Sequence, residues 1–238
     1  LARLEKMALA QYHDPDAQRL MAIEKGLEYW YQRKLKCPNW WYNDIGQQLY
    51  MSTILMLLRD SLSRDLLRQG AGYMRNPDMT GQNRIWLATQ TVYRGCLLGK
   101  DTDIKLGVNA ISREIKITSE EGVQVDGSFH QHGPYLLNGA YGWGYMQDCI
   151  RWAWILRGTK FEFPKEKTDV LTHLVLEGNH WMIRRGYRDP TIDGRAITRS
   201  HMATRQTSLG ALSTLIQLLE LNVERQDEIK ALKAHIEG

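Results

Sequence analysis

The chain has 238 residues, of which 43% are hydrophobic and 24% charged, so it is long enough to bury a sizeable core and too apolar to be disordered. Its formal net charge of +4 favours an anionic partner, but its Lys and Arg residues do not form the block that is typical of a nucleic-acid-binding arm. No apolar run reaches the roughly 18 residues needed to span a bilayer, and the three cysteines are too widely spaced for a CxxC metal site. We therefore expect a globular protein whose partner is neither nucleic acid nor a membrane.

Apolar residues recur at helical spacing along most of the chain. Residues 16–34 place their apolar side chains on one stripe, which predicts an amphipathic helix. Residues 45–69 are apolar on a wide face and predict one deeply packed helix, and the pattern resumes over residues 82–98. Further helices are predicted near residues 101–117, 139–157, 166–186, 200–221 and 223–236.

Strand signals are scarce by comparison. The segment GVQVDGSF, residues 122–129, alternates apolar and polar residues and predicts a short extended piece. Trp152, Trp154 and Trp181 fall within predicted helices, where we expect them to be core residues. The predicted fold class is all-α, with residues 1–238 forming a single domain, and the spacing of helices and long loops suggests a toroid of helical hairpins with a cleft at one end.

The unusual residues of the chain concentrate in four long loops. They are KCPNWWYNDIG (36–46), NPDMTGQNR (76–84), DGSFHQHGPYLLNGAYGWGY (126–145) and RRGYRDPTIDGRAITR (184–199). Loops on a rigid scaffold commonly carry binding and catalytic residues, so these segments are the candidates for a functional site.

Four motifs in these loops, NWWYNDIG, TGQNR, DGSFHQHGPYLLNGAYG and DGRAITR, resemble in their order the motif series of polysaccharide lyase family 8, which includes chondroitin AC, hyaluronate and xanthan lyases. The spacing is the specific part, because Tyr141 follows His132 by nine residues and Arg199 follows Arg195 by four. The resemblance implies an incomplete α/α toroid of helical hairpins with its cleft formed by inter-helix loops. It also implies upstream helices and β-sandwich domains that are not in this chain and that complete the cleft, and a bacterial protein that is secreted or periplasmic.

The resemblance further implies β-elimination on a polymer with 4-linked uronic acids, by a scheme that requires no metal and no cofactor. The proton on C5 of the uronic acid is hard to remove while the adjacent carboxylate keeps its charge. Asn83 and His132 match the pair that neutralises this carboxylate, and Tyr141 matches the base that takes the proton and then protonates the departing oxygen. Arg195 matches a cation beside the phenol, which favours the ionised phenolate, and Arg199 matches a residue that binds an acidic sugar or a sulfate.

Adjacent tryptophans in the first loop suggest a surface for sugar rings. Sugars present apolar C–H faces that stack on indole, and the resemblance implies that Trp40 and Trp41 form a platform for the polymer. We expect at least one of the two to stack against substrate. Asn39, directly before them, is a further candidate for a substrate contact.

Each of these residues also has a purely structural interpretation. A tyrosine in a glycine-rich loop commonly packs with its hydroxyl in water, and an asparagine such as Asn83 at a loop-to-helix junction commonly caps the helix. Arg195 and Arg199 at i, i+4 spacing could place two solvated charges on one helix face. His130 has no counterpart with a role in the family motif and is interpreted as a structural or rim residue.

Two other classes of function remain open at this point. A glycoside hydrolase needs two carboxylates that flank the scissile bond, and Asp44, Asp126 and Asp193 lie in the right loops without forming a paired arrangement. A noncatalytic module that binds acidic polysaccharide is the second alternative, because the lyase family also uses a glutamate from the β domain. The favoured hypothesis is a lyase whose substrate is an acidic polysaccharide such as chondroitin or hyaluronan.

Overall fold

A computed structural model describes residues 1–184, 187–198 and 206–237 and shows a mainly helical protein, which confirms the all-α prediction. The α-helices are α1 (Ala2–His13), α2 (Ala17–Arg33), α3 (Gln47–Leu57), α4 (Arg64–Ala71), α5 (Gly81–Leu98), α6 (Asp101–Glu114), α7 (Tyr141–Leu156), α8 (Lys165–His173), α9 (Gln206–Glu220) and α10 (Gln226–Glu237). Two short antiparallel hairpins are formed by β1 (Gly122–Val123) with β2 (Phe129–His130), and by β3 (Ile183–Arg184) with β4 (Tyr187–Arg188). None of the helices that the structure describes is both long and apolar enough to cross a membrane.

The chain forms two compact units, and the boundary between them falls within α5 and α6. Unit 1 comprises Leu1–Met79 and Trp86–Ala110, and unit 2 comprises Thr80–Ile85 and Ile111–Gly238.

The core of unit 1 is built by α1 to α4. The predicted helix at 16–34 is confirmed as α2, which begins where the Asp16 side chain accepts a hydrogen bond from the Arg19 N–H (2.6 Å) and ends in a left-handed residue, Lys34. Its buried face packs into a cluster that includes Ile23, Leu27, Trp30, Met51, Ile54, Leu55 and Leu66. The Tyr31 hydroxyl donates to the Leu66 carbonyl (3.2 Å), so the phenol that α2 brings into this cluster is satisfied.

The prediction of a single helix over residues 45–69 was wrong. A π-helical turn, Tyr42–Gly46, precedes α3, and the chain leaves the helix at Leu58 before α4 begins. Ser63 causes the restart, because its backbone is extended and its side chain accepts a hydrogen bond from the Leu66 N–H (3.3 Å). The apolar pattern continues across the break because both helices face the same core.

The core of unit 2 is centred on α7, which packs against α8 and α9, while α10 packs against α9. The inward face of α7 is almost wholly buried and carries Trp143, Tyr145, Met146, Cys149, Ile150 and Trp152. Trp152 is therefore a core residue, as predicted. Trp154 is only half-buried, and its indole N–H donates to Glu220 on α9 (2.6 Å).

The prediction of one helix over residues 166–186 was also wrong. The α-helix ends at His173, a π-helical turn follows to Gly178, and a 3₁₀ turn, Asn179–Met182, leads into β3. A Cβ atom at Gly178 would collide with the carbonyl oxygen of Gly127, so this close approach of two backbones requires glycine and bends the chain away from the helix. As a result Trp181, predicted in the core, is 75% exposed and stacks only on His180 (centroids 5.0 Å apart) among its described ring contacts.

The extended segment predicted at 122–129 is confirmed as the β1–β2 hairpin, in which Val123 pairs with Phe129. This hairpin leads directly into the loop that carries His132. The β3–β4 hairpin was not predicted, and it leads into the 3₁₀ segment Pro190–Thr198 that carries Arg195.

Candidate active site

The first turn of α5, which carries Asn83, is fixed by two buried or half-buried carboxylates of unit 2. Glu114 accepts hydrogen bonds from the Gly81 backbone N–H (2.6 Å) and from Arg84 Nη1 (2.7 Å). Asp148 accepts from the side-chain amide of Gln82 (2.7 Å). Three residues of the TGQNR motif, Gly81, Gln82 and Arg84, therefore form hydrogen bonds that hold the start of α5 in place.

Asn83 differs from Gln82 and Arg84 because, within the described part of the chain, its side chain forms no hydrogen bond, whereas theirs bond to Asp148 and Glu114. It is only 7% exposed, and its Oδ1 is buried with no hydrogen-bond partner among the residues that the structure describes. It is also the third residue of α5 rather than the residue before the helix, so the helix-cap interpretation is not supported. A buried carbonyl oxygen without a partner costs roughly 1–3 kcal/mol, which a bound water or a ligand would relieve.

His132 lies in the turn after β2, and its side chain is exposed. Its backbone is left-handed, with φ of 63°, which is uncommon for a residue other than glycine. The preceding residue, Gln131, is buried, and its Oε1 accepts a hydrogen bond from the backbone N–H of Gln82 (2.9 Å). The neighbour of His132 therefore contacts the neighbour of Asn83, which places both predicted residues on adjoining segments.

Tyr141 is the first residue of α7, and its ring meets the imidazole of His132. The two ring planes are at 86° to each other with centroids 4.9 Å apart. The next residue, Gly142, donates its backbone N–H to Leu137 O (2.8 Å) and lies so close to Phe129 that a Cβ atom would be 2.9 Å from the Phe129 Cβ. Glycine at 142 therefore lets the start of α7 approach the β1–β2 hairpin and brings Tyr141 to His132.

Arg195 lies on the segment Pro190–Thr198, which docks on the residues just before Tyr141. The Gly139 backbone N–H donates to Ile192 O (3.0 Å), and a buried ion pair between Arg188 and Asp193 (3.1 Å) fixes the segment from within. Burial raises the pKa of the Asp193 carboxyl, and the Arg188 cation opposes that rise. The Arg195 side chain is exposed. A contact between its guanidinium and the Tyr141 phenol stays a prediction, and Arg199 lies outside the described residues.

The two adjacent tryptophans, which belong to unit 1, have different environments. Trp41 packs edge-on against Trp86 (centroids 5.3 Å apart), and its ring lies over Gly46. Trp40 is 51% exposed, so its indole face is open to a sugar ring. Asn39 accepts a hydrogen bond from the Trp41 N–H (3.0 Å), which gives it a structural role at the start of this turn.

The carboxylates considered for a glycoside hydrolase are each engaged in contacts of their own unit. Asp44 forms an ion pair with Arg75 (2.9 Å) in unit 1. Asp126 accepts from the Ser128 hydroxyl (2.6 Å) and backbone N–H, which lowers the pKa of its carboxyl. A general acid of a glycosidase needs a raised pKa instead, so Asp126 is unsuited to that role.

Sequence analysis missed the polar residues that support the site. Four polar residues have supporting contacts that their positions in the sequence do not predict, because their partners lie ten or more residues away along the chain. They are Gln82, Glu114, Glu121 and Gln131. One signal was present, because Gln82 and Gln131 each stand directly beside a proposed site residue. A polar residue at such a position that also interrupts an apolar stretch is a candidate for a buried supporting contact.

Comparison with known proteins identifies the family of the chain. The family model for the N-terminal α-helical domain of polysaccharide lyase family 8 matches residues 1–238. Chondroitinase-AC of Pedobacter heparinus is 26% identical over 191 residues, which cover 77% of this chain and 27% of that protein. Xanthan lyase of Bacillus sp. is 23% identical over 198 residues, which cover 79% of this chain and 21% of that protein.

A solved structure of chondroitinase AC lyase superimposes on the whole chain with a TM-score of 0.90 at 23% identity, and the match covers 36% of that structure. This likeness shows that the two share a fold. The chain spans about a quarter of the length of the curated relatives named above. The chain therefore belongs to polysaccharide lyase family 8, as an N-terminal α-helical domain of that family.

Proposed function

We propose that the protein is a polysaccharide lyase that cleaves a polymer with 4-linked uronic acids by β-elimination, with Tyr141 as base and acid and with Asn83 and His132 as the groups that neutralise the substrate carboxylate. The observation that carries the proposal is the contact between His132 and Tyr141, whose ring centroids are 4.9 Å apart. In a uronic acid the carboxyl carbon is bonded directly to C5. Groups that act on the carboxylate and on the C5 proton must therefore lie side by side, as these two rings do.

The reaction begins with the carboxylate of the bound uronic acid. The Asn83 amide and the His132 imidazole N–H donate hydrogen bonds to it, and these bonds strengthen as negative charge moves from C5 onto the carboxylate in the transition state. Asn83 suits this role because its side chain carries an amide N–H₂ donor on the first turn of α5, which the hydrogen bonds to Glu114 and Asp148 hold in place. His132 suits it because its side chain is exposed while its backbone is held in a fixed turn.

Tyr141 carries the proton in this scheme. Its phenolate oxygen takes the proton from C5, the electron pair of the C5–H bond forms the C4–C5 double bond, and the C4–O4 bond breaks. The same phenol then gives the proton to O4 of the departing sugar, so the phenolate is regenerated and no water is consumed. One oxygen can serve both atoms when C5–H and O4 lie on the same side of the ring.

Positively charged and aromatic residues are further proposed contacts of the substrate. Arg195, on the segment that docks beside residue 139, would favour the ionised form of the phenol, and Arg199 would bind an acidic sugar or a sulfate through its planar fork. Trp40, with its exposed indole, is the better candidate of the tryptophan pair for stacking on the polymer, while Trp41 supports the turn. Asn39 remains a candidate for a weaker polar contact.

The proposed substrate is chondroitin or hyaluronan, in line with the names of relatives such as chondroitinase-AC and hyaluronate lyase. Because those proteins are about four times longer than the matched region, further domains of the same protein are proposed to complete the cleft. Secretion or export to the periplasm, where such polymers are accessible, is part of the same proposal.

A digestion of several polymers by the full-length protein tests the function. Chondroitin and hyaluronan should give oligosaccharides with an unsaturated terminal ring, each lighter by one water than the hydrolysis product in mass spectrometry. Carboxyl-reduced hyaluronan is the control, and it should stay intact because it has no acidic C5 proton. Saturated products would identify a hydrolase, and binding of both acidic polymers without any cleavage would identify a noncatalytic module.

A further inference from the structure

Glu121 joins two segments that carry residues of the proposed site. Its Oε2 accepts hydrogen bonds from the Thr80 hydroxyl (2.5 Å) and from the Gln131 side-chain amide (2.6 Å), and its Oε1 accepts from the Gly133 backbone N–H (3.1 Å). Thr80 directly precedes α5, and residues 131 and 133 flank His132 on both sides. A single carboxylate is therefore bonded to the turn of His132 and to the segment that carries Asn83.

Gln131 links Glu121 to the first turn of α5 through an amide whose orientation is fixed. Its Nε2 donates to Glu121, and its Oε1 accepts from the backbone N–H of Gln82 (2.9 Å). The Gln131 side chain is 1% exposed, so both of its amide atoms are used in a buried environment where a mismatched donor or acceptor is costly. The orientation of the Gln131 amide is thus set by the carboxylate on one side and by the helix N–H on the other.

The connection matters because the turn of His132 is strained. A left-handed backbone is unfavourable for a residue with a Cβ atom, so it persists only where its surroundings hold it. Two of the bonds described above hold the residues on either side of His132. Loss of these bonds would allow the turn to relax and would move the imidazole relative to Asn83 and Tyr141.

We propose that Glu121 and Gln131 form a positioning pair that sets the His132 imidazole against Asn83 and Tyr141 for proton abstraction, a role that rests on the function proposed above. The pair acts through the backbone of the turn. Its contribution therefore belongs to the rate of the chemical step, since the alignment of reacting groups by fractions of an ångström governs that rate.

Substitution of Glu121 by Gln tests the pair in the full-length protein. If the new amide N–H₂ takes the place of Oε1, it faces the Gly133 N–H. If it takes the place of Oε2, it faces the N–H₂ of Gln131, and if Gln131 then turns over, its N–H₂ faces the N–H of Gln82. One clash between two donors remains in every case. We expect Glu121→Gln to lower kcat about tenfold and to leave KM within about twofold.

The matched control is the neighbouring substitution Glu120→Gln. Glu120 is exposed, and its described hydrogen bonds are formed by its backbone and not by its carboxylate. It should leave kcat and KM unchanged. Hydrogen exchange of the peptide spanning residues 130–135 should become faster in Glu121→Gln, because a clash between donors weakens the hydrogen bonds on one side of His132 or the other, and should not change in Glu120→Gln.

A double variant restores the hydrogen bond between positions 121 and 131 with the amide and the carboxylate exchanged. In Glu121→Gln combined with Gln131→Glu, the amide introduced at position 121 can donate to the new carboxylate and to Thr80 Oγ1 and still accept from Gly133. The carboxylate introduced at position 131 accepts from the Gln82 N–H. The double variant should regain kcat to within about threefold of the original protein.

The outcomes separate this inference from the proposed function. If His132→Ala and Tyr141→Phe abolish turnover but Glu121→Gln leaves kcat unchanged, or if the double variant is as slow as Glu121→Gln, the positioning pair is overturned and the lyase function stands. If His132→Ala keeps full activity, the proposed function fails. Where Glu121→Gln does not fold, the double variant alone decides, because recovery of a folded, active protein supports the pair and an inactive folded protein overturns it.

Discussion

The imidazole of His132 and the phenol of Tyr141 stand perpendicular to each other with 4.9 Å between their centroids, although one lies in a left-handed turn and the other begins a helix. The pair is brought together by Gly142, directly after Tyr141, which allows the helix to start against the hairpin that leads to His132. The motif needs its loose backbone for this close approach and its rings for the chemistry.

Replacement of Tyr141 by Phe should lower turnover of the full-length protein by about a thousandfold or more, since it removes the atom that carries the proton. Substrate affinity should stay nearly unchanged, because the ring and its contact with His132 remain. Calorimetric titration with an oligosaccharide and a kinetic assay of unsaturated products measure the two quantities. Tyr135→Phe, at an exposed tyrosine of the same loop, is the control and should retain full activity. Full elimination activity in Tyr141→Phe would exclude Tyr141 as the proton carrier.

Substitutions of two neighbouring residues at the start of α5 should affect different properties, activity in one case and stability in the other. Asn83→Ala should reduce kcat by roughly 10²–10³, because a donor to the developing negative charge is lost. It should cost less than about 1 kcal/mol of unfolding free energy, since Asn83 Oδ1 has no partner within the described chain.

Gln82→Ala provides the comparison for this prediction. It removes a hydrogen bond of 2.7 Å to Asp148, so it should cost about 1–3 kcal/mol of unfolding free energy. Denaturant unfolding and initial rates on both variants check the pair. A large loss of stability in Asn83→Ala, with activity lost only in proportion to the unfolded fraction, would return Asn83 to a structural role.

The sequence was sufficient for the fold class because helical periodicity is a local property that tertiary contacts reinforce. The predicted helix at 82–98 and the observed α5, Gly81–Leu98, differ by a single residue. The continuous helices predicted over residues 45–69 and 166–186 were wrong, because a cap or a tertiary contact interrupts each of them. Ser63 restarts the helix through one side-chain hydrogen bond, and Gly178 bends the chain because the backbone of residue 127 lies against it.

The sequence predicted the residues of the site that belong to recognised motifs, but not the environment of each residue. The pairing of His132 with Tyr141 followed from spacing in a recognised motif, whereas the environment of each tryptophan did not. Trp40 and Trp41 are identical in sequence terms, and only the packing of Trp41 against Trp86 and Gly46 distinguishes them. Gln131 is equally unremarkable in sequence, because its role depends on partners about ten and fifty residues away.

The two tryptophans should respond differently to truncation. Trp40→Ala should raise KM about fivefold, since a ring contact worth about 1 kcal/mol corresponds to that factor, and should leave unfolding unchanged because the indole is 51% exposed. Trp41→Ala should cost about 3 kcal/mol of unfolding free energy through the space left beside Trp86 and Gly46. Kinetics on the full-length protein and thermal unfolding provide both measurements. Equal KM values for Trp40→Ala and the original protein would rule out stacking on Trp40.

Asp126, at the entrance of the glycine-rich loop, offers a test that depends on pH. Hydrogen bonds from the Ser128 hydroxyl (2.6 Å) and the Ser128 backbone N–H (3.0 Å) lower the pKa of the Asp126 carboxyl. A carboxyl with a lowered pKa in the folded state stabilises the protein above its unfolded pKa of about 3.9, and this contribution is lost as the pH falls through the folded value.

Ser128→Ala should therefore raise the pKa of Asp126 toward its ordinary value, as measured by NMR titration of the carboxyl carbon. Its cost in unfolding free energy should be below about 1 kcal/mol at neutral pH, because Asp126 is exposed, and should shrink on acidification below the pKa. The same pattern joins Thr191 to Asp189 (2.6 Å), so Thr191→Ala is the matched control and should leave Asp126 unchanged. A pKa of Asp126 above its ordinary value in the original protein would contradict this account and would favour the general acid of a hydrolase.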